Sequence, residues 1–198
     1  MKNKFGFVLV KPQLGENIGA CARSMKNFGF EKLRLVSPKF SFPNHKTKVT
    51  SVGAYNIIEN AKVYNNTEDS INEFDIVISL SARKRDINKK HITMDDFKKI
   101  LQKKNNTSFG FMFGPEASGL SNKDLSLSNF ILQIPTSKNF KSLNLSHSFT
   151  IVCYEIFKLL NKKMFNKNGK KLKVSSKSKV SLLIKYLKRL LDEKNFFS

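Results

Sequence analysis

The segment Phe5-Gly-Phe-Val-Leu-Val10, followed from Asn17-Ile-Gly-Ala-Cys-Ala-Arg23 by a pattern of helical spacing, determines the architecture of this chain. The first segment is a continuous apolar run, which is typical of a buried strand. In the second, apolar residues recur on one side of a helix that we expect to extend to Phe28. The pattern predicts a strand, a loop and a helix in that order.

Further segments repeat this alternation. Apolar runs predict strands over residues 32–36, 61–64, 75–80, 108–113 and 130–134, and helical spacing predicts helices over residues 47–58, 93–104 and 145–160. Thr93 precedes acidic residues, as an N-cap does. The alternation predicts an α/β domain over residues 1–160, with a parallel sheet flanked by helices.

The C-terminal part of the chain has a different composition. Eleven basic residues and no acidic residue lie between Asn161 and Leu191, and the first half of this stretch has little apolar periodicity. From Lys179 onward, apolar residues recur at helical spacing. We expect a basic linker over residues 161–178 and a C-terminal helix over residues 179–198.

The net charge of +21, from 36 basic and 15 acidic residues, favours a polyanionic partner. Nucleic acid is the first candidate and an anionic membrane surface is the second. The excess is mostly lysine, with five arginines at positions 23, 34, 83, 85 and 189, so codon usage is an alternative explanation for it.

Several classes of protein are disfavoured by the sequence. Cys21 and Cys153 belong to no Cys/His cluster, so neither a disulfide framework nor a metal site is expected. The apolar run near the N-terminus is too short for a signal sequence or a membrane span, and we expect a cytoplasmic protein. Glycine-rich dinucleotide, Walker A and metallohydrolase motifs do not occur in the sequence.

Polar loops follow several predicted strands, where parallel sheets commonly bind ligands. The first contains Asn17, Gly19 and Arg23; Arg23 can recognise a phosphate or oxyanion through its forked guanidinium. Asn17 could instead be a helix cap, Gly19 a packing contact with a neighbouring strand, and Arg23 a solvated surface residue.

The second loop, residues 113–121, carries Glu116 between glycines, where it could accept hydrogen bonds from loop amides or a ligand. Alternatively, Glu116 is an acid in the first turn of a helix and complements the helix dipole. The third, residues 134–146, places Ser142, Asn144 and Ser146 at the start of a helix, where capping is the alternative. A fourth, residues 79–85, carries Arg83 and Arg85, which we expect to contact RNA unless they are a solvated charge run.

Three patterns occur in order along the chain: Asn17-x-Gly-x-x-x-Arg23, Gly114-Pro-Glu-x-x-Gly-Leu-Ser121 and Ser142-Leu-Asn-Leu-Ser146. In combination they resemble the motifs of the SPOUT superfamily, specifically its TrmH-like class of RNA ribose 2′-O-methyltransferases. Ser81-Ala-Arg-Lys-Arg85 and the C-terminal sequence are similar to the TrmJ branch, which modifies the tRNA anticodon loop. The resemblance covers nearly the whole chain.

The resemblance implies a C-terminal trefoil knot that forms a site for S-adenosylmethionine, and a homodimer in which Arg23 lies near the partner's cofactor. The residues expected to bind the cofactor are Ser79, Leu80, Ser81, Gly114, Glu116, Gly119, Leu120, Ile134, Lys141, Ser142 and Leu143. Catalytic roles are expected for Arg23, Ser142 and Asn144, and RNA contacts for Asn17, Arg23, Arg83 and Arg85.

The implied reaction is methylation of a ribose 2′-hydroxyl, with cytidine or uridine at position 32 of the tRNA anticodon loop as the expected target. The same chemistry on ribosomal RNA or at another tRNA position is one alternative. A protein that binds RNA without catalysis is another, against which the presence of Arg23 and Asn144 argues.

Overall fold

The computed structural model describes residues 4–83, 88–103, 106–161, 164 and 175–196. The chain divides into two compact units, residues 1–162 and 163–198. The strands of the first unit are β1 (Phe5–Val10), β2 (Lys32–Val36), β3 (Lys62–Tyr64), β4 (Ile76–Leu80), β5 (Lys90–Ile92), β6 (Phe109–Phe113) and β7 (Phe130–Leu132). Its helices are α1 (Gly15–Phe28), α2 (His45–Thr50), α3 (Tyr55–Glu59), α4 (Thr67–Ile71), α5 (Met94–Lys103), α6 (Asn122–Ser126) and α7 (Leu145–Leu160).

Within the described residues the seven strands form one sheet in the order β3-β2-β1-β6-β4-β7-β5. Every pair of neighbouring strands is parallel. Strand β6 lies between β1 and β4, so that Phe5 pairs with Phe109 and Leu9 with Phe113. The predicted parallel α/β sheet is confirmed.

The two faces of the sheet carry separate apolar clusters because successive side chains of a strand point to opposite faces. Phe7 belongs to the larger cluster, which also contains the buried apolar residues of α1, α3, α5 and α7. The ring of Phe149 in α7 lies 4.9 Å, centroid to centroid, from both Phe7 and Phe113. Val8 belongs to the smaller cluster, with Ile71 of α4 and Leu125 of α6.

One predicted helix and several short elements differ from the sequence-based expectation. The helix expected over residues 47–58 is two helices, α2 and α3, separated at Gly53, which has a φ of +72°. A left-handed conformation of this kind interrupts a right-handed helix. Elements β5, α4 and α6 were not predicted, because each has only three to five residues and little periodicity.

In the second unit the helix α8 (Lys177–Glu193) begins two residues before its predicted start. Ser176 caps it by accepting a hydrogen bond from the backbone N–H of Lys179. Its apolar residues, among them Leu183, Ile184 and Leu187, are exposed. Most of the proposed linker, residues 162–163 and 165–174, lies outside the described residues.

The described residues provide neither a membrane span nor a metal-binding cluster. Among these residues there is no helix long and apolar enough to cross a membrane. The same part of the chain contains no group of three or more His, Cys, Asp or Glu side chains placed to hold a metal ion.

Candidate functional site

The carboxyl ends of three neighbouring strands, β6, β4 and β7, open into a cavity of about 360 Å³. Its walls come from the loops that follow these strands and from the first turns of α7. The lining residues are Leu80, Ser81, Ala82, Arg83, Phe113, Gly114, Pro115, Glu116, Ala117, Ser118, Gly119, Leu120, Leu132, Ile134, Lys141, Ser142, Leu143, Leu145 and Ser148. The loops singled out in the sequence after β4, β6 and β7 therefore meet around one space.

Ten of the eleven residues expected to bind a cofactor line this cavity. The exception is Ser79, which is fully buried within β4, one residue before the cavity begins. Its Oγ atom has no hydrogen-bond partner among the described residues. Ser79 therefore lies behind the wall of the cavity rather than in it.

Gly114 allows the loop after β6 to fold back on itself. A Cβ atom at this position would lie 2.2 Å from the backbone nitrogen of Leu120 and 2.3 Å from the carbonyl carbon of Gly119. Gly119 itself has a φ of +67°, a conformation that glycine adopts without strain. The two glycines thus shape the cavity wall through the backbone.

Glu116 joins the cavity loop to the start of α1. Its carboxylate accepts hydrogen bonds from the backbone N–H of Gln13 at 2.9 Å, the backbone N–H of Leu14 at 3.2 Å and Nδ2 of Asn17 at 2.8 Å. The prediction that Glu116 accepts hydrogen bonds from loop amides is confirmed. Because it lies six residues before α6, the alternative of a first-turn acid on the following helix is wrong.

Asn144 has two structural roles. Its Oδ1 caps α7 by accepting a hydrogen bond from the backbone N–H of Ser146 at 2.8 Å. Its Nδ2 donates to Oδ1 of Asn17 at 3.2 Å. Asn17 is therefore not a helix cap but a buried link between Glu116 and Asn144, so side chains from all three motifs form one hydrogen-bonded chain.

Arg23 is exposed on α1, and it is not among the described residues that line the cavity of its own chain. The next residue, Ser24, is buried and shares a hydrogen bond of 2.6 Å with the Thr150 hydroxyl of α7. This contact fixes α1 against α7 at the level of Arg23. Ile151 and Tyr154 of α7 are each more than a third exposed.

Gly19 has a packing role that differs from the expected one. A Cβ atom there would lie 2.0 Å from Oγ1 of Thr50, 2.8 Å from the backbone nitrogen of Ser51 and 2.9 Å from the carbonyl oxygen of Thr47. The close neighbour is the end of α2, not a strand. Gly19 therefore lets α2 approach α1.

The arginines fall into different environments. Arg83 lines the cavity, whereas Arg85 lies outside the described residues. Arg34 is buried in β2, donates to the carbonyl oxygen of Ser70 at 2.6 Å and pairs with Glu73. The Arg34 charge and hydrogen bond lower the pKa of the Glu73 carboxyl. Arg34 is thus a structural residue.

Sequence reasoning missed several lining residues, including Phe113, Leu132 and Ser148. The first two end the strands whose loops form the cavity, so their position at the carboxyl end was the available signal. Ser148 lies four residues after Asn144, and positions four apart share one side of a helix. That spacing could have identified it.

Both cysteines are fully buried in the larger cluster. Burial raises the pKa of the Cys21 thiol well above its ordinary value, and the charge of Glu116 adds to this effect. Burial likewise raises the pKa of the Cys153 thiol, with a further contribution from Cys21. The two thiols therefore belong to the core.

The comparisons with known proteins agree with this geometry. Residues 4–154 match the model of the SpoU rRNA Methylase family. The tRNA (cytidine-2′-O-)-methyltransferase TrmJ of Methanocaldococcus jannaschii is 36% identical over 191 residues, which are 94% of this chain and 80% of that protein. The enzyme of the same name from Sulfolobus acidocaldarius is 32% identical, over 93% of this chain and 75% of that protein.

A solved structure has a similar fold. The crystal structure of TrmJ from Z. mobilis ZM4 has a TM-score of 0.74 and 30% sequence identity to this chain, covering 98% of it and 82% of that chain. The resemblance of the three motif loops to the SPOUT class is thereby confirmed. The chain belongs to the SpoU rRNA methylase family, in the branch that contains the TrmJ proteins.

Proposed function

We propose that this protein transfers the methyl group of S-adenosylmethionine to a ribose 2′-hydroxyl of tRNA. The observation that carries the proposal is the cavity at the ends of β6, β4 and β7, which is built from the motif loops of a methylase family. The relatives of this chain that are named tRNA 2′-O-methyltransferases support tRNA as the substrate. Within tRNA we assign cytidine or uridine at position 32 of the anticodon loop as the target.

The cavity suits an adenosyl group in size and in chemistry. Its volume of about 360 Å³ lies within the range of small-molecule sites. Leu80, Leu132, Ile134 and Leu143 provide apolar walls for a purine ring. Because Gly114 has no side chain, the backbone of residues 119–120 packs directly against it. We therefore propose that the ten expected residues that line the cavity contact the cofactor. We also propose that the chain segments carrying these residues form the trefoil knot.

When bound, S-adenosylmethionine supplies a methyl group that its sulfonium already activates for transfer. The protein's task is to align the acceptor oxygen and to favour loss of the hydroxyl proton. We assign to Arg23 the stabilisation of the developing alkoxide, because a guanidinium stays protonated in proteins and is a poor base. Ser142 and Asn144 position the nucleotide beside it.

We further propose a homodimer, because Arg23 is not among the described residues that line the cavity of its own chain. Arg23 is exposed on α1, one residue before the Ser24 contact with Thr150 of α7. Helix α7 also carries the exposed Ile151 and Tyr154. A second copy packed on this α1–α7 surface would bring its Arg23 to the first copy's cavity and cover the apolar side chains. Arg23 and Arg83 would then contact RNA beside each cavity. The expected RNA contact of Asn17 is wrong, because its side chain is buried between Glu116 and Asn144. Arg85 lies outside the described residues.

The primary experiment combines cofactor binding with product mapping. We expect isothermal titration to show saturable binding of S-adenosylmethionine, and mass spectrometry of treated tRNA to show one added ribose methyl group at position 32. Methylation of ribosomal RNA alone, or at another tRNA position, would change the assigned substrate. RNA binding without cofactor binding would refute the enzyme and indicate a non-catalytic RNA-binding protein.

A second experiment tests the shared site. Arg23→Ala and Gly114→Leu chains, co-expressed in equal amounts, should form mixed dimers in which one of the two sites keeps both an intact cavity and an Arg23. Recovery of about a quarter of wild-type activity is expected from random pairing. Each variant alone should be inactive. If Arg23 served the cavity of its own chain, the mixture would remain inactive.

A further inference from the structure

Phe140 is an apolar residue that belongs neither to the hydrophobic core nor to the described lining of the cavity. Its side chain is 75% exposed, the largest exposed fraction among the described large hydrophobic residues. It lies outside both apolar clusters and is not among the described residues lining the cavity. An aromatic ring in this position loses the favourable free energy of burial unless another molecule covers it.

The backbone around Phe140 is held in a turn. The backbone N–H of Phe140 donates to Oγ of Ser137 at 3.1 Å, and that hydroxyl donates to the carbonyl oxygen of Phe140 at 3.4 Å. After Phe140, residues 141–143 line the cavity, and Asn144 is bonded to Asn17. The ring is therefore carried at the rim of the cavity by a hydrogen-bonded turn, which is followed by a segment that Asn144 ties to Asn17.

The charge beside the ring indicates what covers it. Lys138 and Lys141 are exposed on either side of Phe140, and Arg83 lines the cavity to which this segment leads. Basic side chains next to an exposed aromatic ring form the combination with which proteins bind unpaired nucleotides: the cations contact phosphates, and the ring stacks on a base.

We propose that Phe140 stacks on an unpaired nucleobase of the RNA next to the acceptor ribose, while Lys138 and Lys141 contact the flanking phosphates. This inference rests on the proposed function and deepens it. It makes Phe140 a substrate-positioning residue, and it predicts that the acceptor nucleotide must lie in a single-stranded region. Stacking of this kind is tolerant of base identity, because every base has a π face.

The test is steady-state methylation of an anticodon stem-loop by Phe140 variants. Loss of one stacked base predicts a rise of about 5- to 150-fold in the KM of Phe140→Ala for RNA, with the affinity for S-adenosylmethionine unchanged. Phe140→Tyr should retain a KM near that of the wild type. Phe140→Leu should resemble the alanine variant, because leucine is apolar but has no ring. Val52→Ala, which truncates another exposed apolar residue, is the matched control and should change nothing.

Substrates with a single abasic nucleotide identify the stacked base. At one position near the acceptor, removal of the base should raise the wild-type KM and abolish the difference between wild type and Phe140→Ala. If the KM values of wild type and Phe140→Ala differed by the same factor whichever nucleotide was abasic, the proposal would be overturned. So would a loss of cofactor affinity in Phe140→Ala without a change in RNA affinity, since the ring would then cover the cofactor.

The same comparison by fluorescence anisotropy does not depend on turnover. If the wild-type protein bound RNA but methylated none, the proposed function would fail, while weaker RNA binding by Phe140→Ala would still support the stacking contact. If the protein were an active methyltransferase and Phe140→Ala bound RNA as the wild type does, the stacking contact alone would be refuted.

Discussion

The Nδ2 atom of Asn17 donates a hydrogen bond of 2.8 Å to Oε1 of Glu116, a residue 99 positions later in the chain. This bond lies where the first turn of α1 meets the cavity loop, and the carboxylate also accepts two backbone amides there. Through Asn17 it reaches Asn144 at the start of α7. One carboxylate thus holds the ends of two helices at the cavity.

Glu116→Ala should lower the free energy of unfolding by about 1–3 kcal/mol, because several donors lose a charged acceptor. Glu116→Gln should cost less, since one oxygen remains able to accept. Denaturant unfolding measures both changes. Glu59→Ala removes an exposed glutamate of α3 and is the control, for which we expect a change below about 0.5 kcal/mol. Equal stability of Glu116→Ala and the wild type would contradict this role of the carboxylate.

Gly114→Ala should weaken the binding of S-adenosylmethionine, because the added methyl group would collide with the backbone of residues 119–120 and move the cavity wall. Gly119→Ala is the matched variant. Its Cβ meets nothing within 4 Å, and its cost is backbone strain at a φ of +67°. Isothermal titration should show the larger loss of affinity for Gly114→Ala; the reverse order would show that the fold-back does not shape the site.

Gly19→Ala should destabilise the protein by about 1–3 kcal/mol through overpacking between α1 and α2. Two of the three atoms within 3 Å of the added methyl group are backbone atoms, the carbonyl oxygen of Thr47 in α2 and the nitrogen of Ser51, which follows α2. The double variant Gly19→Ala/Thr50→Ala should therefore recover little stability in thermal unfolding. Full recovery would mean that the Thr50 hydroxyl alone sets the packing distance.

Arg23→Ala should nearly abolish methyl transfer while leaving the affinity for S-adenosylmethionine within a few-fold, because we assign Arg23 to the acceptor oxygen and it is not among the described residues that line the cavity. Arg23→Lys should also be poor, since an ammonium does not reproduce the forked donor geometry. Single-turnover rates and isothermal titration separate the two effects. A variant that kept most of its turnover would remove Arg23 from the mechanism.

The buried thiols predict a loss of stability at alkaline pH. In the unfolded chain a thiol releases its proton above a pKa of about 8.5, whereas burial raises the pKa of Cys21 and Cys153 in the folded protein. Above that pH the unfolded state binds fewer protons than the folded state, so the free energy of unfolding falls as the pH rises. Urea unfolding between pH 7 and pH 10 measures the decline.

The variant Cys21→Ala/Cys153→Ala separates the thiols from the many lysines that also titrate at alkaline pH. Its decline in the free energy of unfolding should be shallower than that of the wild type over the same interval. Identical slopes for the two proteins would show that thiol ionisation does not limit stability there.

Much of the fold could be predicted because its central elements are long and strongly patterned. The bounds of β1, β2 and α7 are those predicted, since a continuous apolar run or a sustained helical period has few alternative interpretations. The break between α2 and α3 was not predicted because it depends on the left-handed conformation of Gly53. Apolar periodicity does not indicate the backbone conformation of a single glycine.

The candidate site was predictable loop by loop but not contact by contact. The motifs indicated that residues 114–121 and 142–146 would meet, and they share a cavity. The bond between Asn17 and Glu116 was beyond sequence reasoning, because only the insertion of β6 beside β1 brings the two loops together. Gly19 shows the same limit, since its neighbours, Thr47, Thr50 and Ser51, lie 28 to 32 residues later in the chain.

The position of β6 between β1 and β4 also has a consequence during biosynthesis. A ribosome releases β1 and β4 well before β6, yet these two strands cannot complete their pairing until β6 arrives between them. The far wall of the cavity, including Leu145 and Ser148, emerges later still. A nascent chain that ends before Ser148 therefore lacks a complete ligand pocket. Binding of the cofactor to a nascent chain would indicate that the first unit has been translated to this point.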